Sequence, residues 1–308
     1  MSKQTIQLSL SYCIMIGLWA SAFPGIRAGL AHYPPEHLAL LRLLTGSLAL
    51  LLIAVITRIR LPEMKDVPMI LLLGCLGFSA YHILLNIGEQ TVSAGIASLL
   101  VATTPLFSAA LSGLFFRERF GAAKWAGSCI SFFGVGLISL GTGNNVQSAA
   151  GILLILLAAF SESVYFVLQT RYIQKYGFIP FVIYTILGGT IPMLAFLPGL
   201  GEELSNAPLH STASVLYLGL LPTVVPYFAL AYITSRVGPA EATVSLYVTP
   251  ALTLIIAWVW INEVPAFLSL LGGMVTIAGV LFTYRKSGNA ITTAPNLCRS
   301  RRRRKQNA

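Results

Sequence analysis

TVSAGIASLLVATTPLFSAALSGLFFRERF runs from Thr91 to Phe120, and SLYVTPALTLIIAWVWINEVP runs from Ser245 to Pro265. Laying Thr104-Pro105 over Thr249-Pro250, an offset of 145 residues, puts Glu118 on Glu263, Gly127 on Gly272, Ser131 on Thr276 and Gly134 on Gly279. Upstream, Ser98 falls on Thr243. No gap is needed over about 40 residues, which is the mark of an internal repeat. The chain therefore divides into two halves, residues 1–143 and 148–286, joined by the small, polar GTGNNVQSAA of Gly141 to Ala150. Residues 287–308 form a basic tail, expected to be disordered and cytoplasmic.

Composition names the solvent of these halves. Of 308 residues, 56% are hydrophobic and 10% charged, against about 25% charged in soluble domains. Windows of roughly 20 apolar residues mark membrane helices. Ten follow one another, at 8–30, 36–56, 67–87, 93–115, 123–141, 150–171, 178–198, 213–234, 238–261 and 266–284. The expected fold is an all-α membrane protein, ten transmembrane helices arranged as two five-helix repeats. The linkers are too short for a soluble catalytic domain. Ala20-Ser21-Ala22 after an apolar run imitates a signal-peptide cleavage site, but the apolar pattern continues through Phe23, Ile26 and Leu30, so the segment is expected to stay as the first helix.

The net charge of +10 is sorted by position: 18 of the 20 lysines and arginines lie at the N-terminus, in alternate loops or in the tail, and Arg27 and Arg42 lie inside helices. By the positive-inside rule both termini are expected to be cytoplasmic. Five spans per half is odd, so the second half enters the membrane from the opposite side. The basic loop after Glu118 and the uncharged loop after Glu263 agree with that inversion. Inverted repeats of this kind recur in secondary transporters, with the substrate at mid-membrane between the halves. The run RSRRRRK, Arg299 to Lys305, reads as a topology anchor touching anionic lipid headgroups rather than nucleic acid, for which no binding fold is apparent.

Cys13, Cys75, Cys129 and Cys298 lack ligand spacing, and no His/Asp/Glu cluster, glycine-rich phosphate loop or G-x-S-x-G elbow occurs. The sequence calls for no metal or cofactor, and any drive must come from a gradient or from exchange.

LWASAFPGIRAGLAHYPPEHLALLRLL, Leu18 to Leu44, together with the two stretches quoted first, resembles EamA-type carriers of the drug/metabolite transporter superfamily. The resemblance covers nearly the whole chain apart from the tail. It implies export or exchange of a small metabolite or drug-like solute across the bacterial inner membrane, around a cavity lined by the first, third, fourth, sixth, eighth and ninth helices. Substrates vary across the superfamily, so it does not name the cargo. The rival readings are a channel-like facilitator and an integral-membrane enzyme acting on lipid.

Within this frame, Glu162 in GILLILLAAFSESVYFVLQT, Gly151 to Thr170, stands near the middle of an apolar helix, where a charge costs about 3 kcal/mol on the insertion scale. It is expected to face the bundle interior. There it stays protonated and bonded to a neighbouring helix, contacts a substrate amine, or exchanges a proton. Trp19, Tyr81, His82, Tyr165, Tyr227 and Tyr247 lie at similar depth and are the aromatic lining expected for an amphipathic or cationic solute. His82 is either a titrating group or bonded to a backbone carbonyl. Arg42 either snorkels outward or faces the path and attracts an anion. Pro105 and Pro250, with Thr104 and Thr249 capping the freed carbonyls, read as paired kinks that gate or shape the pocket. Glu118 and Glu263 read as structural, each favouring the start of the next helix. The stripe Gly127, Ser131 and Gly134, repeated as Gly272, Thr276 and Gly279, reads as close helix packing.

Overall fold

A computed structural model describes residues 3–116, 122–141, 146–237, 242 and 245–285. Glu118, Asn144, Glu241 and the basic tail lie outside the described residues. The described chain is helical, with no strand. In order the helices are α1 (Lys3–Leu30), α2 (Pro35–Ile56), α3 (Val67–Gly74), α4 (Tyr81–Glu89), α5 (Ala94–Val101), α6 (Thr104–Phe116), α7 (Ala122–Gly141), α8 (Val146–Tyr176) and α9 (Phe178–Met193). There follow α10 (Leu200–Asn206), α11 (Leu209–Leu220), α12 (Val225–Val237), α13 (Thr249–Ile261) and α14 (Phe267–Arg285).

Each of the ten apolar stretches overlaps helix. Among the described residues seven helical stretches are long and apolar enough to cross a bilayer: Gln4–Leu30, Pro35–Ile56, Met64–Glu89, Ala94–Phe115, Ser148–Tyr176, Phe178–Phe196 and Leu209–Val237. Thr249–Ile261 and Phe267–Gly279 are apolar but shorter. Large hydrophobic side chains remain exposed around the outside, Val55, Phe133, Trp258 and Val259 among them, as hydrocarbon-facing positions require. The protein is an integral, multi-pass membrane protein. Helix α1 runs without a break past Ala22, the point of the imitated cleavage site.

Four of the expected spans are interrupted, three of them at prolines. Pro105 is the second residue of α6, behind the turn Ala102-Thr103, so it starts a new helix rather than kinking an intact one. Pro250 is likewise the second residue of α13, behind a 3-10 turn at Ser245–Val248. A proline lacks the amide that would continue the ladder and is tolerated in a first turn. The expectation that Thr104 and Thr249 cap the freed carbonyls is not met: both hydroxyls are buried without a partner among the described residues. Thr103 instead donates to the Leu100 carbonyl at 2.7 Å. Between α11 and α12, Pro222 and Pro226 bracket the third break, and the Leu218 carbonyl accepts from both the Thr223 amide at 3.0 Å and the Thr223 hydroxyl at 2.8 Å. A π-helical turn, Cys75–Ala80, separates α3 from α4 and carries the buried Phe78.

The small-residue stripes meet each other. Helices α7 and α14 pack along their length. A Cβ at Gly134 would lie 2.6 Å from the Gly272 carbonyl, and one at Gly279 would lie 2.7 Å from the Gly127 carbonyl. The pairing runs 127 with 279 and 134 with 272, so the two helices are antiparallel. Elsewhere α1 packs on α11, α12 and α13, and α8 packs on α4, α5 and α6. Helices from both halves thus enclose a common centre.

Candidate functional site

At that centre lies a cavity lined by Trp19, Phe23 and Ile26 of α1, Arg42 of α2, Tyr81 and Leu85 of α4, Ser98 of α5, Glu162 of α8, Tyr227 of α12, Leu246, and Thr249 of α13. Its volume is about 30 Å³, room for about two waters. The conformation is closed around its polar groups.

Glu162 is 4% exposed and points inward. Its neighbours in sequence hold it there. Ser161 donates to the Leu76 carbonyl at 2.8 Å, in the π-helical turn. Ser163 donates to the Thr104 carbonyl at 2.9 Å, where α6 begins. The Ser-Glu-Ser triplet therefore fixes the rotation of α8 against both irregular segments. The carboxylate accepts from the Tyr227 hydroxyl at 3.1 Å. Tyr227 is itself clamped, edge-on to Trp19 with ring centres 5.3 Å apart and against Phe78 at 4.6 Å.

Arg42 does not snorkel. It is 2% exposed and lines the cavity. Its Nε donates to Thr223 Oγ1 at 2.6 Å, so the α11–α12 break orients the guanidinium. Nη1 is buried without a partner among the described residues. Among the described residues no ion pair joins Arg42 to Glu162, although both line the same space. Opposite charges buried but not paired are costly. Arg42 and Glu162 thus face one space while each bonds a neighbouring hydroxyl.

Trp19, Tyr81, Glu162, Tyr227, Arg42 and Thr249 line this one cavity, and α2 joins the set of lining helices. Other residues depart from expectation. His82 is absent from the lining; its Nδ1 lies 2.6 Å from the Phe78 carbonyl, the backbone-bonded alternative. Tyr165 turns toward α9, 3.4 Å from Thr185 Oγ1 and stacked on Phe181. The backbone of Tyr247 lies in the 3-10 turn beside the cavity, and its side chain is outside the description. Thr104 and Pro105 adjoin Ala102 of the lining through the α5–α6 break.

A second polar cluster was not legible in the sequence. Glu263 does not serve the following helix. Asn262 ends α13 in the left-handed conformation, φ 53°, and turns Glu263 back. Its carboxylate accepts from the Ala94 amide of α5 at 2.9 Å and lies 3.7 Å from Arg27 Nε. Glu89, at the end of α4, is fully buried with both carboxyl oxygens unpartnered. A terminal Gly-Glu-Gln looks like a loop entry, and only the packing of α1 and α8 around it reveals the burial.

Comparison with known proteins agrees with this architecture. The profile of the EamA-like transporter family matches residues 8–140 and again residues 149–285. The chain is 69% identical over 286 residues to the uncharacterized transporter YdfC of Bacillus subtilis, covering 93% of this chain and 94% of that one. It is 39% identical over 269 residues to a probable terminal-alkyne amino-acid exporter of Streptantibioticus cattleyicolor, covering 87% and 90%. A solved crystal structure with 17% identity superposes with a TM-score of 0.63 over 90% of this chain and 96% of that one, which shows a shared fold. Two profile matches spanning both halves, with relatives aligned over most of their lengths, establish that the chain belongs to the EamA-like transporter family.

Proposed function

We propose that the protein is a secondary exporter of the bacterial cytoplasmic membrane that moves a small zwitterionic solute of the amino-acid class by alternating access. Ten spans form two inverted five-helix halves with both termini cytoplasmic. The antiparallel meeting of α7 and α14, equivalent helices of the two halves, supports the inversion.

The observation that carries the reading is the pair Arg42 and Glu162, buried in one cavity and not bonded to each other. A carboxylate can accept from Arg42 Nη1 and from the free Thr249 hydroxyl at the start of α13, where the helix dipole favours negative charge. An ammonium group can replace Tyr227 as partner of Glu162. Phe23, Ile26 and Leu246 leave an apolar wall for a side chain. The name of the Streptantibioticus relative fits this class. Glu162 holds either a proton or the cargo's ammonium, and that competition couples export to the proton gradient.

The test is counterflow. Vesicles containing the full-length protein and loaded with an unlabelled neutral L-amino acid are expected to accumulate its radiolabelled form with saturation. Ionic conductance without counterflow would favour a channel. No movement of any member of an L-amino-acid panel, with movement of simple amines or anions instead, would overturn the zwitterion class.

A further inference from the structure

The outer end of the bundle contains an acid for which the transport site has no use. Arg27 Nη1 donates to the backbone carbonyl of Glu89 at 2.5 Å, while its Nε lies 3.7 Å from Glu263. The carboxyl of Glu89 itself has no donor to either oxygen among the described residues. One guanidinium therefore stands between two acids and serves the carboxylate of only one.

The place of this cluster gives it meaning. Arg27, Gln90, Asn262 and Glu263 line a groove of about 650 Å³ at the end of the bundle. Ile26, the residue before Arg27, lines the central cavity. The Arg27–Glu263 pair thus lines the groove one residue along α1 from the cavity wall. It also ties α1 and, through the Ala94 amide, α5 of the first half to the end of α13 in the second. Any opening toward the groove has to part these contacts.

The charged groups facing Glu89 are Arg27 from α1, Arg42 from α2 and Glu263 from the turn after α13. Helix α8 presents Gly151 and Ile155 to this end of α4, and α5 has no titratable side chain. An ionised carboxylate without a hydrogen-bond donor in such a site is strongly disfavoured.

We propose that Glu89 is a proton-binding site of the outer gate, neutral while Arg27 is paired with Glu263 and ionised when Glu263 withdraws and Arg27 turns to it. In that exchange the Glu89 O–H bond breaks, the proton passes to water in the groove, and an Arg27–Glu89 ion pair replaces Arg27–Glu263. The inference rests on the transport reading for its purpose, since an outer gate presupposes a carrier, but the proton site can be measured without cargo.

Infrared difference spectra of the full-length protein in vesicles, titrated between about pH 5 and 8, read the carbonyl stretch of protonated carboxylic acids. The expected band survives Glu162→Gln and disappears in Glu89→Gln. It is also lost in Glu263→Gln at the same pH, because Arg27 is then free for Glu89. Glu89→Asp, which moves the band instead of removing it, serves if Glu89→Gln does not fold. No Glu89-dependent band at any pH, or one unmoved by Glu263→Gln, overturns the proposal. Counterflow in the same vesicles separates the two ideas. Counterflow without the band dismisses the gate site alone, whereas the band without counterflow dismisses the carrier and leaves Glu89 as a proton site with no gate to serve.

Discussion

Ser131 and Thr276 exchange hydrogen bonds: the Ser131 hydroxyl donates to the Thr276 carbonyl at 3.1 Å, and the Thr276 hydroxyl donates to the Ser131 carbonyl at 3.3 Å. The two residues are the same position in the two halves. Glycines above and below, Gly134 against Gly272 and Gly279 against Gly127, bring the backbones close enough for the exchange. In lipid such close packing and hydroxyl bonding replace the hydrophobic drive that holds soluble helices together.

That contact is expected to govern stability. At Gly134 an added Cβ would lie 2.5 Å from the Thr276 amide nitrogen, whereas at Gly136 it meets nothing within 4 Å. Gly134→Ala should destabilise by about 1–3 kcal/mol through forced separation of the helices, and Gly136→Ala should not. Thermal unfolding of the detergent-solubilised variants checks this, and equal midpoints would contradict the packing.

At the transport site Arg42→Ala is expected to raise the half-saturation concentration for a zwitterionic amino acid about 10- to 100-fold, the range of a lost charge-assisted hydrogen bond. Uptake of the corresponding amine, which has no carboxylate, should change much less. Competition assays against one radiolabelled amino acid would show the difference.

Glu162→Gln removes the exchangeable proton but keeps an acceptor for Tyr227. Exchange of cargo for cargo should persist at a raised half-saturation concentration, because the ammonium loses its ionised partner, while accumulation driven by a pH gradient should vanish. Persistent gradient-driven accumulation would show that coupling resides elsewhere, with Glu89 the next acid to substitute.

On the face assigned to the cytoplasm, Lys65 at 2.6 Å and Lys175 at 2.9 Å bond the Glu63 carboxylate. They hold its pKa below the ordinary glutamate value, Lys65 contributing most. A carboxylate with a depressed folded-state pKa stabilises at neutral pH, and the contribution is lost as pH falls through that value. Glu63→Gln should therefore lower the unfolding midpoint slightly at pH 7, and less at high salt. The difference should fade as the medium is acidified below the range where glutamate ionises.

The topology has its own measurement. Leu209 and Met64, 85% and 82% exposed, are assigned to opposite sides of the membrane. In a cysteine-free background, Leu209→Cys should react with an impermeant thiol reagent added to intact cells and Met64→Cys should not. The reverse pattern would turn the molecule over.

The helices and the repeat could be read from the chain because they depend on local periodicity and on a fixed offset. Rotation about a helix axis is decided by tertiary contacts, and there the sequence said less. Tyr165 follows Glu162 by three residues, yet it faces Thr185 instead of the cavity. Arg42 had two open readings until the Thr223 hydroxyl, 181 residues away, fixed its direction. Glu89 and Glu263 sit at helix ends, where an acid is normally unremarkable, and gain significance only because the left-handed Asn262 folds one of them back over Arg27.

A chamber with space for about two waters is also a stopper. Its walls have to part before any solute can enter, and the work of parting them must come from the solute's own contacts. If the zwitterion reading holds, molecules that satisfy only one of Arg42 and Glu162 should open it less readily. On the proposed reading, the bilayer stays tight to ions and to mismatched metabolites whenever this closed state is occupied.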